Sequence, residues 1–217
     1  MRILVSGATA TLRRLAPKYA DNLGILLTPA NGNAIESIIT SELPWAVDNG
    51  AFSGFRETEF EKLLDAIVGK PRLLWVAAPD QVGDADRTLL AFRQWCGRIK
   101  RRNLPVAFVL QDGCDQFELP EADAYFVGGS TRFKLSQEAS DMIQIAKLLG
   151  KPVHMGRVNT LNRLTAALQM GCDSIDGTGF SRFADTYLER GVQHIRNHLS
   201  QSKLITEAAP GDGGSWW

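Results

Sequence analysis

The stretch PVHMGRVNTLNRLTAALQMGCDSIDG, residues 152–177, decides the fold. It opens on one short apolar run, PVHMG (152–156), and closes on another, DSIDG (173–177). Between them NTLNRLTAALQMG (159–171) places apolar residues at 161, 164, 167, 168 and 170 and stops at Gly171. That spacing marks one face of a helix with a glycine terminus. Strand, helix and strand in so short a span make a βαβ unit, whose two strands run parallel.

Outward from this unit the pattern repeats. Short runs rich in apolar residues occur at RILVS (2–6), GILLT (24–28), PWAVD (44–48), RLLWVAA (72–78), PVAFVLQ (105–111) and AYFVG (124–128). Helix-like segments separate them. ETEFEKLLDAIVG (57–69) has apolar residues at 60, 63, 64, 67 and 68, again one helical face. SQEASDMIQIAKLLG (136–150) begins at a capping serine, Ser136, and ends at Gly150. The segment after Gln111 is too short for a full helix. Eight strands alternating with helices predict an α/β fold, a compact (β/α)8 TIM barrel, with an open doubly wound sheet as the alternative. On this reading residues 1–205 form one barrel domain. Residues 206–217, most of them the turn-rich EAAPGDGGSWW (207–217), form a flexible tail outside it.

Composition narrows the function classes. Lys+Arg and Asp+Glu are equal at 24 each, so no global field attracts a polyanion, and a nucleic-acid partner must meet a local patch. The three cysteines, Cys96, Cys114 and Cys172, are widely spaced, which argues against a disulfide framework and a cysteine-rich zinc site. The opening MRILVSGATATL has too short an apolar run for a signal peptide, and no stretch approaches membrane-spanning length. The expectation is a cytoplasmic protein with no membrane partner.

Active sites of such barrels collect at the C-terminal ends of the strands. Those positions read Asp48, Asp80, Gln111, Gly128–Gly129, His154 to Arg157, and Asp176. An aspartate at one strand end is explained by turn formation or helix capping. Three carboxylates, an amide and a Gly-Gly pair at matching places in six consecutive units are not.

These segments resemble the tRNA-guanine transglycosylase superfamily, most closely its small phage and bacterial members that insert 7-deazaguanine bases into DNA. DNGAFSGF (48–55) is similar to the family's DSGGFQ segment, and APDQVGDA (78–85) matches the position of its base-reading aspartate. VLQDG (109–113) is similar to VQGG, and FVGGSTRFK (126–134) to the glycine-rich loop beside the base. VHMGRVNTLNRLTAALQMGCDSIDGTGFSR (153–182) is similar to LMGVGTPEDLLEAVARGVDMFDCVxPTR. The resemblance runs from about residue 45 to 183, nearly two thirds of the chain.

The resemblance implies a role for each residue. Asp176 matches the nucleophile that attacks the sugar anomeric carbon, and Asp48 the aspartate that handles protons. Asp80 and Gln111 match the pair that reads a guanine-like edge, and Gly128 and Gly129 the backbone beside the base. Arg182 matches an arginine that holds a phosphate or orients a carboxylate. Phe52 is a candidate for the aromatic that sandwiches the base. His154 and Arg157 are candidate substrate contacts. Asp173 matches no catalytic position and reads as strand-start structure.

The chemistry suits these residue types. Base exchange passes through an oxocarbenium-like state, which a carboxylate stabilises and attacks. A guanine-like edge offers N1–H and a 2-amino group to a carboxylate, and O6 to an amide or backbone N–H. Clustered carboxylates split their proton affinities, leaving one able to act as acid or base. A target nucleotide in DNA must leave the stack to enter such a pocket. The implied partners are DNA and a free 7-deazaguanine base, with no cofactor and no metal. The family's zinc cluster of three cysteines and a histidine has no counterpart here, which disfavours tRNA. The alternatives are a tRNA-guanine transglycosylase or N-glycoside hydrolase of the same fold, and a non-catalytic nucleic-acid-binding relative.

Other signals read as structure. His194 and His198, four apart on a late helix, lack cysteine or carboxylate partners at metal-ligand spacing. SGATAT (6–11) lacks the full dinucleotide fingerprint and reads as a strand-to-helix turn. GRIKRR (97–102) reads as a solvated helix end. Arg132, Lys134, Arg157 and Arg182 border the expected site and are the better phosphate candidates. Trp45, Trp75 and Trp95 read as packing residues.

Overall fold

Strands buried on both faces carry near-continuous apolar sequence, and all eight such runs become strands. The computed structural model of the chain describes residues 1–7, 9–29, 35 and 42–208. The strands are β1 Arg2–Val5, β2 Leu23–Leu27, β3 Trp45–Val47, β4 Leu73–Ala77, β5 Val106–Leu110, β6 Ala124–Val127, β7 Val153–Met155 and β8 Ser174–Asp176. Each pairs in parallel with the next, and β8 closes on β1 through Ile3 opposite Ile175 and Leu4 opposite Asp176. The chain is a closed (β/α)8 barrel. The open sheet is excluded because β1 is bonded on both sides.

The helices are α1 Thr9–Tyr19, α2 Glu57–Ile67, α3 Ala85–Lys100, α4 Thr131–Lys134, α5 Gln137–Leu148, α6 Leu161–Met170, α7 Thr178–Arg182 and α8 Ala184–Ala208. Their ends follow from capping. Ser136 Oγ accepts from the Ala139 N–H at 3.2 Å, and Gly171 closes α6 in the left-handed conformation. After β5 the chain makes a single 3-10 turn, Cys114–Gln116, where the sequence leaves no room for a helix. α8 runs to Ala208, three residues past the expected domain end, and 209–217 lie outside the described residues.

Alternation along the strands builds two apolar layers. Ile3, Val5, Ile25, Leu27, Val106, Phe108, Leu110 and Ile175 face outward and pack under the helices. Leu4, Leu26, Ala46, Trp75, Ala77, Ala107, Val109, Ala124 and Phe126 fill the barrel itself. Gly24 is needed there, since a Cβ would lie 2.5 Å from Leu4 Cδ2. Trp45 faces outward and its Nε1 donates to Pro71 O at 2.8 Å, and Trp95 packs edge-on against Phe55 and Phe60.

The basic run at 97–102 clamps two helices. Arg98 reaches Glu57 at 2.9 Å, and Arg102 reaches Asp65 at 2.7 Å, both on α2. The turn after β1 bends at Gly7, with φ 77°, and Ala8 lies outside the described residues. Among the described residues no helix is long and apolar enough to cross a membrane.

Candidate functional site

Above the packed barrel, at the C-terminal ends of the strands, lies a cavity of about 450 Å3. That is within the range of small-ligand sites. Asp48, Phe52, Asp80, Gln111, Gly128, Gly129, Arg157, Asp176 and Arg182 all line it. Nine of the ten candidate residues therefore converge, drawn from six different strand ends and the turns that follow them.

Asp48 follows β3, and its Oδ1 accepts from the Gly50 N–H at 3.0 Å. It keeps some contact with the cavity but is ringed by protein. Burial pushes its carboxyl up to about 7. The Gly50 hydrogen bond and Arg157 oppose that rise, and the charges of Asp176 and Asp80 add to it. Asp80, after β4, is held by two amides, Asn49 Nδ2 at 2.8 Å and Gln111 Nε2 at 2.6 Å. Burial raises it above the ordinary carboxylate range despite both donors.

Gln111 is fixed at its other end as well, its Oε1 accepting from the Gly83 N–H at 2.8 Å. It is 1% exposed, so its first task is to hold Asp80 and the β4 loop together. Gly128 admits this arrangement, because a Cβ there would sit 2.8 Å from Gln111 Nε2. Gly129 has φ +67°, and a Cβ would meet Asp112 Oδ2 at 2.6 Å. Both features demand glycine.

Asp176 ends β8. Its Oδ1 accepts from the Arg157 N–H at 3.1 Å, and His154 Nε2 lies 3.0 Å from its Oδ2. Arg157 adopts φ 58°, a left-handed conformation that is strained for a residue with a Cβ. Its guanidinium donates to Gly129 O at 2.5 Å and lies 4.2 Å over the Phe52 ring. Phe52 itself is 67% exposed, so the pair forms an outer wall of the cavity.

Two expectations are corrected. His154 is fully buried beneath Asp176 and does not reach the cavity wall, because it occupies an inward position of β7 below the strand end. Lys134 is 4% exposed and cannot serve as a surface phosphate contact. Burial, with Arg157 nearby, lowers its amine to about 8. Arg132 and Arg182 remain exposed, and of the two only Arg182 lines the cavity. His194 shares a hydrogen bond with Thr165 Oγ1 at 2.8 Å. Asp173 accepts from the Val153 N–H and from Lys147, stapling the starts of β7 and β8.

The sequence reading missed Asn49 and Asp112. Asn49, buried beside Asp48, donates to Ala78 O as well as Asp80 and accepts from the Ala51 N–H. Its signal was the DNG turn signature directly after a strand. Asp112 accepts from both the Ser130 N–H and hydroxyl, at 2.8 and 2.6 Å, and so shapes the glycine loop after β6. Those two bonds outweigh burial and hold its carboxyl below the ordinary range.

The arrangement combines a carboxylate with fixed donors on both oxygens, a second carboxyl that exchanges protons near neutrality, and a third held by amides. Among the described residues no group of three or more His, Cys, Asp or Glu is placed to hold a metal. No protein-family model and no curated protein matches this chain.

Proposed function

We propose that this protein is a base-exchanging guanine transglycosylase that replaces guanine in DNA with a 7-deazaguanine derivative such as 7-cyano-7-deazaguanine. The observation that carries the reading is the convergence of Asp48, Asp80 and Asp176 on one cavity walled by Gly128 and Gly129. Asp176 attacks the anomeric carbon as the C1′–N9 bond breaks, and the departing guanine takes a proton from Asp48. A carboxyl that titrates near 7 is suited to that transfer at neutral pH. The incoming base gives its N9 proton back to Asp48 and displaces Asp176 from C1′. Asp80 accepts from the N1–H and 2-amino edge, while backbone at Gly129 meets O6. Phe52 under Arg157 gives the base or sugar a flat wall. The resemblance to the phage and bacterial enzymes further suggests that the modified base shields DNA from nucleases.

The test is a base-exchange assay with duplex DNA and bulk tRNA offered separately with 7-cyano-7-deazaguanine, read as nucleosides by mass spectrometry. The expected result is a deazaguanine deoxynucleoside from DNA alone, absent with Asp176→Ala. Incorporation into tRNA alone would overturn the choice of polymer. Free guanine released without incorporation would make the protein an N-glycoside hydrolase. Binding without adduct or exchange would make it a non-catalytic relative.

A further inference from the structure

His154 is a side chain of the candidate set that the proposed reaction does not use. It lies at the middle of β7, between Val153 and Met155, whose side chains join the outer apolar layer. Alternation therefore turns His154 into the barrel, where its neighbours are Trp75 at 4.9 Å and Phe126 at 4.7 Å between ring centroids. It is 0% exposed. An imidazole so placed has to satisfy both nitrogens within the protein.

It does so with one partner on each side. Nε2 is 3.0 Å from Asp176 Oδ2, and Nδ1 is 2.8 Å from Ser174 Oγ. A carboxylate only accepts, so Nε2 carries hydrogen. In the neutral ring Nδ1 then accepts, and the Ser174 hydroxyl must donate to it. Ser174 and Asp176 are the two inward residues of β8, and the register sets His154 directly opposite Ser174. The other Asp176 oxygen accepts the Arg157 N–H at 3.1 Å. One rigid donor on each oxygen fixes the plane of the carboxylate. Gly156 keeps that space open, since a Cβ there would sit 2.7 Å from the Phe126 ring.

We propose that His154 is a positioning residue for Asp176, its Nε2–H tautomer set by the Asp176 carboxylate and its Nδ1 satisfied by Ser174. The proposal rests on the transglycosylase reading for its rate consequence only. In the first displacement an Asp176 electron pair forms the C1′–O bond while the C1′–N9 pair leaves with the base. In the second, the C1′–O pair returns to Asp176 as the new base bonds to C1′. His154 keeps its proton through both steps. Its N–H holds the attacking oxygen in line and meets the charge that returns when the ester bond breaks. Binding of the free base involves neither event.

The test combines a spectrum with kinetics. The chain has three histidines, so 15N-histidine labelling gives three imidazoles, and His154→Gln identifies the signal of His154 by its loss. The expected spectrum of the neutral ring shows hydrogen on Nε2 and none on Nδ1, with mixed tautomers in Asp176→Ala, where the acceptor that selects Nε2–H is gone. In single-turnover adduct formation, His154→Leu is expected to slow the step about 100-fold, the scale of the loss when an attacking group is held out of line. Affinity for free 7-cyano-7-deazaguanine stays within about twofold, since base recognition is left intact. His154→Gln, which keeps an N–H of similar reach to hold the carboxylate, recovers about tenfold of that loss. An Nδ1–H tautomer, or a His154→Leu variant that forms adduct at the wild-type rate, overturns the proposal. Wild type that forms no adduct with either polymer defeats the transglycosylase reading instead, and the imidazole spectrum alone then decides the tautomer.

Discussion

Asp48 and Gly129 show how single residues at the strand ends trade stability for a site. Asp48 has an ordinary value of 3.8 and a folded value of about 7, with burial the main cause. The folded state therefore binds this proton more tightly than the unfolded chain does. The resulting stability is fully present below about pH 4 and is lost as pH rises through about 7. Asp48→Asn removes the titration while its side-chain oxygen still accepts from Gly50. Its urea-unfolding free energy should gain on wild type by on the order of 2–4 kcal/mol between pH 4 and pH 8. A gap that does not change with pH would deny the burial argument. The same variant should lose base exchange, which separates stability from function. Gly129→Ala tests the opposite case: a Cβ forced to 2.6 Å from Asp112 at a positive φ. It should destabilise by roughly 1–3 kcal/mol, read by thermal unfolding. The carboxylates and the glycine pair were legible in sequence because each ends an apolar run. Arg157 was legible as a cation but not as a strained residue, since nothing local in GRV demands φ 58°. His154 was misread as a substrate contact because its strand parity, rather than its nearness to the strand end, decides which way it points.

At the scale of elements, the eight strands and the helices examined by periodicity fell where the sequence put them. Parallel strands buried on both faces and helices with one apolar stripe are local patterns. The couplings between consecutive strand-end loops are not local, and there the sequence was silent. Asn49 from the β3 loop and Gln111 from the β5 loop both grip Asp80 of the β4 loop. Asp112 after β5 holds Ser130 after β6, and Arg157 after β7 reaches back to Gly129. The rim is thus a chain of hydrogen bonds from β3 to β8, each link between loops that parallel pairing of consecutive strands sets side by side. Cutting one link should loosen recognition more than chemistry. Asp112→Ala frees both Ser130 donors and should raise KM for the free base about tenfold while kcat changes less than about threefold. A kcat loss with unchanged KM would assign the β6 loop to the chemical step instead. Capping is testable separately: Ser136→Ala removes the acceptor for the Ala139 N–H and should cost about 1 kcal/mol of stability, with exchange activity intact.

At the scale of the whole molecule, the charge balance shapes how a polyanion would be met. Twenty-four basic and 24 acidic residues leave no net charge, and in the densest basic run Arg98 and Arg102 are committed to Glu57, Glu61 and Asp65 across a helix pair. α1 and α8 likewise spend Arg14 and Lys18 on Asp185 and Glu189, tying the first helix to the last where the barrel closes. The cations left on the cavity wall are Arg56, Arg157 and Arg182. Affinity for a nucleic acid should therefore come from the pocket and a few phosphates rather than from a broad basic face. If three phosphates are neutralised, log Kobs against log salt should fall with a slope of roughly −2 to −3. Fluorescence anisotropy with a labelled DNA duplex between about 50 and 200 mM salt reads that slope directly. Arg182→Gln should make it shallower by about one unit. A slope of roughly −6 or steeper would require cations well beyond Arg56, Arg157 and Arg182, and would place nucleic-acid contact away from the mouth of the barrel.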